Sequence, residues 1–410
     1  MKVSKRLAVA AVGLSVAAAL MGGGIASADP GATPANGYDR PLQGVGSDTL
    51  DDIMNALGEV KYDVDNNPAT PDDYAFASWN AKGGAFDSRN PATNPGCHYT
   101  DNTAAGSSYV EGLRANGSGN GQKALRDAFT SGKTTFGCLD FSRSSSLPSA
   151  GNLGAVSVKA FELATDSLTF AVKEPSLVTR ALTLAQLRGA YHCSFGQFTN
   201  SLTSTFKAII PQAGSGTRST WLTKMYVDGQ PGSPTDAAGA ETMLASGTWK
   251  CVTDRTDFLG TGYQASECTG SPAVCTLPAG VSFIQEHDLS ALTNKTVAPI
   301  SVAQWVSQAY GTIPDKRAGS LLGTLKVTAT GEVSYPVALN STFGDMTGTA
   351  DDLILTRKVY NVVPVSTLTA GSLVSRLFEG PSSYLCQQTA IIKKYGFSPL
   401  ASCGTATAVN

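Results

Sequence analysis

A short apolar run, Ala208-Ile209-Ile210, gives way to Gly214-Ser215-Gly216-Thr217-Arg218 and resumes as Trp221-Leu222-Thr223-Lys224-Met225, with apolar residues at helical spacing. A strand, a glycine-bearing turn and a helix start in that order restrict the chain to an architecture in which strands deliver loops to helix N-termini. The first-turn N–H groups of a helix have no partners within it, and the helix dipole favours negative charge there. Glycines at 214 and 216 let backbone approach a ligand closely. The Ser215 and Thr217 hydroxyls add donors, and Arg218 adds a charged fork suited to an oxyanion. The same residues would also serve as a plain N-cap.

Two further stretches have this character. Gly44-Val45-Gly46-Ser47-Asp48-Thr49 leads into Leu50, Ile53, Met54 and Leu57, spaced as one face of a helix. Thr134 to Phe141 reads as a strand that runs into Ser142-Arg143-Ser144-Ser145-Ser146. Candidate anion-holding residues are therefore Ser47, Asp48 and Thr49, then Arg143, Ser144 and Ser145, then Ser215, Gly216, Thr217 and Arg218. A Gly-rich turn, 117–121, precedes another helix, and Thr183 with Gln186 forms a capping box. Phe161 to Val172 contains one or two strands, with alternation from Leu168 onward. Short strands are expected at 281–284, 353–355 and 359–363, and helices at 301–310, 372–378 and 385–395. Strands alternating with helices imply an α/β fold, in which ligands sit where strands end and helices begin.

The N-terminus pairs basic Lys2, Lys5 and Arg6 with an apolar run, Leu7 to Leu20, and an Ala26-Ser27-Ala28 cleavage signal. It reads as a secretory signal peptide, 1–28, cleaved after Ala28, followed by a flexible leader, 29–39. The apolar run is too short to span a bilayer, so no stable membrane insertion is expected. A formal net charge of -2, with 15% charged residues and no basic patch, gives no sign of nucleic-acid binding. Eight cysteines in an exported chain point to disulfides. Proximity suggests Cys386 with Cys403 and Cys268 with Cys275, although eight cysteines allow 105 pairings. No C-x-x-C pair occurs and there are three histidines, so no metal site or cofactor is expected.

The three stretches together resemble the phosphate-binding receptors of phosphate ABC transporters. That family's first loop is similar to Gly46-Ser47-Asp48-Thr49, its middle motif to Phe141 through Pro148, and its Ser-Gly-Thr-Arg motif to Ser215 through Arg218. Leu182 to Asn200 and Ser301 to Gln308 resemble two further family elements. The resemblance spans roughly residues 40 to 310. It implies a two-lobed type II periplasmic-binding-protein fold with a hinge between lobes and disulfide-tied insertions, one of them in 227–280. Lobe 1 would hold 40–160 and return at 290–410. Lobe 2 would hold 161–289, with crossovers near Ala164-Thr165 and Gln285-Glu286. The departures fall on the ligand. Ser145 stands where family members carry an Asp, and Asp48 either supplies that carboxylate or caps its helix. Pro211 replaces a family arginine, for which Arg143 or Arg218 would compensate, Arg218 having the better case.

The function implied is a secreted, monomeric solute-binding protein that captures phosphate or a related oxyanion by hinge closure, for uptake through an ABC-transporter permease. An interaction protein on the same fold with altered or lost ligand binding is the alternative. A secreted phosphatase is a weaker one, because Ser144, Ser145 and Ser215 lie in no Gly-x-Ser-x-Gly elbow, and no catalytic residue is expected.

Overall fold

The computed structural model describes residues 29–30, 39–101, 109–194, 206–261, 268–269, 274–275, 277–326, 333–334 and 355–409. The expected signal peptide, 1–28, and most of the expected leader, 29–39, lie outside them. Strands of the main sheet are β1 (Leu42–Gly46), β2 (Phe76–Ser78), β3 (Phe141–Ser144), β4 (Val158–Lys173), β5 (Lys207–Ile209), β6 (Val252–Thr253), β7 (Thr296–Ser301), β8 (Ser320–Leu322), β9 (Leu355–Pro364), β10 (Ser398–Pro399) and β11 (Ala406–Val409). The helices that concern the site are α1 (Asp51–Gly58), α2 (Ser118–Ala128), α3 (Leu184–Tyr191), α4 (Gly216–Tyr226), α5 (Ala237–Ala245), α6 (Val302–Ala309) and α7 (Leu373–Phe378). The fold is α/β, as the alternation of elements implies.

The sheet order is β6-β5-β7-β4-β9-β3-β1-β2, with β8, β10 and β11 also paired to β4. Strand β4 is 16 residues long and almost wholly buried. Its first part pairs with β9, from Val158↔Pro364 to Leu168↔Leu355. Its last part pairs with β7, from Leu168↔Ser301 to Val172↔Val297. The sheet therefore has two halves joined through one strand. β2, β1, β3 and β9 flank its beginning, and β7, β5 and β6 flank its end.

Side chains on a strand point alternately to opposite faces, and β4 supplies four cores in this way. Val158 and Ala160 pack with Val45, Leu125 and Tyr99 on the α2 face of the first half. Phe161 and Leu163 pack with Ile53, Leu57 and Leu377 on the face carrying α1 and α7. Further along, Leu168, Phe170 and Val172 join Leu187, Trp221 and Tyr226 beneath α3 and α4. Ala171 joins Ile209, Ile284 and Ile300 on the reverse face. A strand covered on both faces reads as nearly continuous apolar sequence, so its 16-residue extent is longer than alternation alone suggests.

The structure differs from several local expectations. Residues 134–140 form turns, because Gly137 adopts φ +77° and its N–H donates to the Ala128 carbonyl. The strand begins only at Phe141 and includes Arg143 and Ser144, which were expected in the loop beyond it. No strand forms at 281–284, where Phe283 makes a single bridge to Arg255. Of the strands expected at 353–355 and 359–363, the second lies within β9, which begins at Leu355 and has an irregularity between Val359 and Tyr360; residues 353–354 lie outside the described residues. The chain passes Gln285-Glu286 in a loop, and the next strand, β7, still pairs with the second half before α6 turns away at Ser301.

Cys386–Cys403 forms a disulfide, as proximity suggests. Cys97–Cys138 and Cys193–Cys251 span 41 and 58 residues, which proximity could not reveal. The second ties the end of α3 to the start of β6, anchoring part of the 227–280 region to the sheet edge. Cys268 and Cys275 oppose each other in a small antiparallel ladder; their side chains lie outside the described residues.

Candidate functional site

Three turns from the first half and one from the second meet end to end. β1 ends at Gly46 and hands the chain to a 3-10 turn, Asp48–Leu50, and then to α1. β3 ends at Ser144, and α2 begins at Ser118. The Ser118 Oγ accepts from the Ser145 N–H at 2.9 Å and lies 3.2 Å from the Ser145 Oγ. From the other side, β5 leads to α4, where Ser215 is the N-cap and its Oγ accepts from the Arg218 N–H at 2.9 Å.

The halves are in direct contact here. The Gly119 N–H donates to the Gly214 carbonyl at 2.9 Å. Gly117 has φ +93°, and a Cβ on it would lie 2.4 Å from the Gly214 oxygen. A Cβ on Gly216 would lie 2.3 Å from the Ser145 Oγ and 2.4 Å from the Ser118 Oγ. Only glycine permits this approach. Side-chain amides add a second seam. Asn116 donates to the Gln285 Oε1 at 2.9 Å, and Gln212 donates to the Asn116 Oδ1 at 2.9 Å.

At the centre sits a carboxylate, Glu286, whose residue is 3% exposed. Its Oε2 accepts from Thr49 Oγ1 at 2.9 Å and from Thr217 Oγ1 at 3.3 Å. His287 Nε2 lies 3.2 Å from the same oxygen and 3.0 Å from Thr49 Oγ1. Arg357, on β9, donates to Thr49 Oγ1 at 3.2 Å. Arg357 is itself fixed by Asp166 on β4, at 2.8 Å and 3.0 Å, and Asp166 also accepts from Ser301 Oγ at 2.8 Å. Burial pushes the Glu286 carboxyl up. His287 first, then the nearby Ser215 hydroxyl and the Arg357 charge, outweigh it and bring the pKa down to about 2. The Glu286 carboxyl is thus held ionised away from water.

Four buried polar atoms around this point have no hydrogen-bond partner among the described residues: Ser47 Oγ, Glu286 Oε1, His287 Nδ1 and Arg357 Nη1. His287 also has φ +60°, uncommon for a side chain of its size. Beside Glu286 opens a cavity of about 290 Å³, lined by Asp48, Asp52, Lys82, His287 and Lys316 among others. Burial, and then the Asp48 charge, raise the Asp52 carboxyl to about 6. A second cavity of about 510 Å³ lies along the seam by Gly119, Lys123, Ser146, Gly214 and Glu241.

The sequence-derived residues divide into two groups. Thr49, Ser145, Ser215, Gly216 and Thr217 meet at the seam, and Ser47 is buried in the first turn. Ser144 lies one step back, where its Oγ accepts from Gln122 at 3.1 Å, and Asp48 borders the smaller cavity. The two arginines are committed elsewhere. Arg218 makes a double hydrogen bond to Glu241, both at 2.6 Å, and another to Asp254 at 2.6 Å. Arg143 pairs with Asp51 and donates to Ser78 Oγ at 2.6 Å and to the Trp79 carbonyl at 2.8 Å. Both stiffen the turns from behind. Ser118, Asp166, Glu286, His287 and Arg357 were not among the candidates. The 117–121 turn was the available signal for Ser118, and the expected crossover at 285–286 was the signal for Glu286.

No family model matches the sequence, and no curated protein matches it. Solved structures do. The chain is similar to an ABC-type phosphate transport receptor from Vibrio cholerae, at 14% identity over 87% of this chain and 99% of that one, with a TM-score of 0.40. A phosphate-binding protein from Stenotrophomonas maltophilia matches at 12% identity, covering 88% and 91%, with a TM-score of 0.41. A human phosphate-binding apolipoprotein matches at 12% identity, covering 88% and 92%, with a TM-score of 0.44. These are the class of protein that the sequence motifs resemble. With each of these TM-scores below 0.5, the functional reading rests on the cleft's own geometry.

Proposed function

We propose that this protein is a secreted receptor that holds phosphate or a related oxyanion between its two halves, and that it delivers the anion to an ABC-transporter permease. The observation that carries this is the buried Glu286 carboxylate, kept ionised by hydroxyls from both halves and by His287 and Arg357. A place that stabilises one oxyanion so strongly is suited to another. Ser47, Thr49, Ser145, Ser215 and Thr217 would be the contacts, with Arg143 and Arg218 bracing the turns.

Lobe 1 would hold 40–160. Lobe 2 would begin at 161 and, by strand pairing, take in β7 and β8 as well as the segment to 289. The strands β4 and β9 would form the hinge. We read the protein as a binder and a monomer, with no catalytic residue. Loss of ligand binding is a second reading, favoured by the way Glu286 already fills the seam. Isothermal titration calorimetry with phosphate and then sulfate separates the two. Saturable phosphate heat, weakened by Thr217→Ala, supports the receptor. No heat with either anion leaves the second reading.

A further inference from the structure

We propose that Glu286 is the cleft's own anion: its carboxylate holds the halves shut when no ligand is bound, and an incoming oxyanion binds by displacing it. This rests on the oxyanion-receptor reading above.

Donor counting is the first argument. A threonine hydroxyl has one proton to give. Thr49 gives its proton to Glu286 Oε2 at 2.9 Å, and Thr217 gives its own to the same oxygen at 3.3 Å. A phosphate oxygen could take these donors only after Glu286 has left them. Space is the second argument. With Gly216 packed against the Ser118 and Ser145 hydroxyls, no tetrahedral anion fits between them while the seam is shut. Charge is the third. Two anions a few ångströms apart in a site screened from water repel strongly, and one must leave or take up a proton.

A destination for the carboxylate is present. Glu286 lines the cavity of about 290 Å³, its Oε1 has no hydrogen-bond partner among the described residues, and the cavity wall sets Lys82 and Lys316 beside Asp48, Asp51 and Asp52. The Glu286 N–H stays bound to Gln212 Oε1 at 3.2 Å, so the side chain can swing while its backbone stays in place. Thr49 belongs to the turn before α1 and Thr217 to the first turn of α4, so releasing Oε2 breaks a bridge between the halves.

The test compares the purified wild-type protein with E286Q, which keeps shape and removes charge. Inorganic phosphate is titrated calorimetrically, and small-angle scattering is recorded with and without it. Thermal melts establish that the variant folds. Wild type is expected to be compact in both conditions. E286Q is expected to be expanded without phosphate and compact with it, and to bind phosphate about tenfold more tightly or better, because no internal anion competes. T49V, which removes the hydroxyl that ties Glu286 to the first half, should also expand the phosphate-free protein; it supplies the readout if E286Q fails to fold. Weaker phosphate binding by E286Q would overturn the proposal, since Glu286 would then be a ligand contact. Equal affinities with identical scattering would overturn it while leaving the receptor reading intact. Expansion of E286Q with no phosphate binding by either protein would sustain the clamp and remove the receptor reading.

Discussion

Thr49 and Thr217 come from opposite halves of the molecule, 168 residues apart in sequence, and their hydroxyl oxygens lie 3.4 Å apart. Each sits where a strand has just handed the chain to a helix, and each turns its hydroxyl to the Glu286 carboxylate. The cleft is therefore a meeting of helix starts, and its chemistry follows from the backbone that positions them. The arginines behind these turns, the glycines between them and the acids beside them make separate, measurable contributions.

Arg218→Ala is expected to destabilise the fold before it affects any ligand. It would remove the Arg218 guanidinium from its ion pairs with Glu241 and with Asp254, whose side chain is 0% exposed. Breaking a buried pair on one side costs about 3–5 kcal/mol. A melt should show the loss, and Arg218→Lys should recover only part of it, because lysine cannot reproduce the double contact to Glu241.

Gly117→Ala is expected to prevent full closure. The residue has φ +93°, and its new Cβ would fall 2.4 Å from the Gly214 carbonyl oxygen across the seam. The conformation, φ +93° with ψ 165°, alone costs an ordinary residue about 1–3 kcal/mol, and the overlap can be relieved only by parting the halves. Scattering should report a larger radius of gyration than wild type. An unchanged radius and melting temperature would mean that the seam is softer than its packing indicates.

Asp29→Ala should lower stability although Asp29 is partly exposed. Its carboxylate accepts from the Arg114 guanidinium at 2.6 Å and 2.9 Å, and the Arg114 side chain is 0% exposed. Arg114 keeps carbonyl partners at Gly84 and Asn80, so the loss should be smaller than for Arg218→Ala, about 1–3 kcal/mol. Comparing the two melts checks the ranking.

Stability should depend on pH through two acids acting in opposite senses. Glu286 has a folded pKa near 2, below its ordinary value of 4.5, so its contribution is present above about 4.5 and is lost as pH falls toward 2. Asp52 is raised from 3.8 to about 6, so the folded state binds the extra proton and loses stability as pH rises from about 4 through 6. The two together place these residues' best range between about pH 4 and 5. Asp52→Asn removes the second effect and should raise stability at pH 7 by on the order of 1–2 kcal/mol, leaving the acid limb unchanged.

Much of this arrangement is legible in the sequence where the determinants are local. Ser215 caps α4 through the Arg218 N–H, and Thr183 and Gln186 form both bonds of the capping box, because the partners are three residues apart. What was not legible depends on residues brought together from far away. The role of Arg218 is set by Glu241 and Asp254, 23 and 36 residues on. Arg357 reaches Asp166 across 191 residues and Thr49 across 308. The extent of β4 was hidden for another reason. Both of its faces are covered, which blurs the alternation that marks a strand, and its length is fixed by partners late in the chain.

Those late partners constrain how the protein can be made. One edge of β4 is completed by β9 and β8, and the other by β11, β10 and β7, so every one of its partners among the described residues lies in residues 296–409. A nascent chain that ends before residue 296 has its central strand written but both edges bare, and bare apolar edges invite association with other chains. Contacts this distant in sequence also make folding slow. The sheet is therefore expected to assemble late and almost at once, after the last strand has been supplied. A chain truncated before β9 should persist as an aggregation-prone collapsed species, with no stable first half.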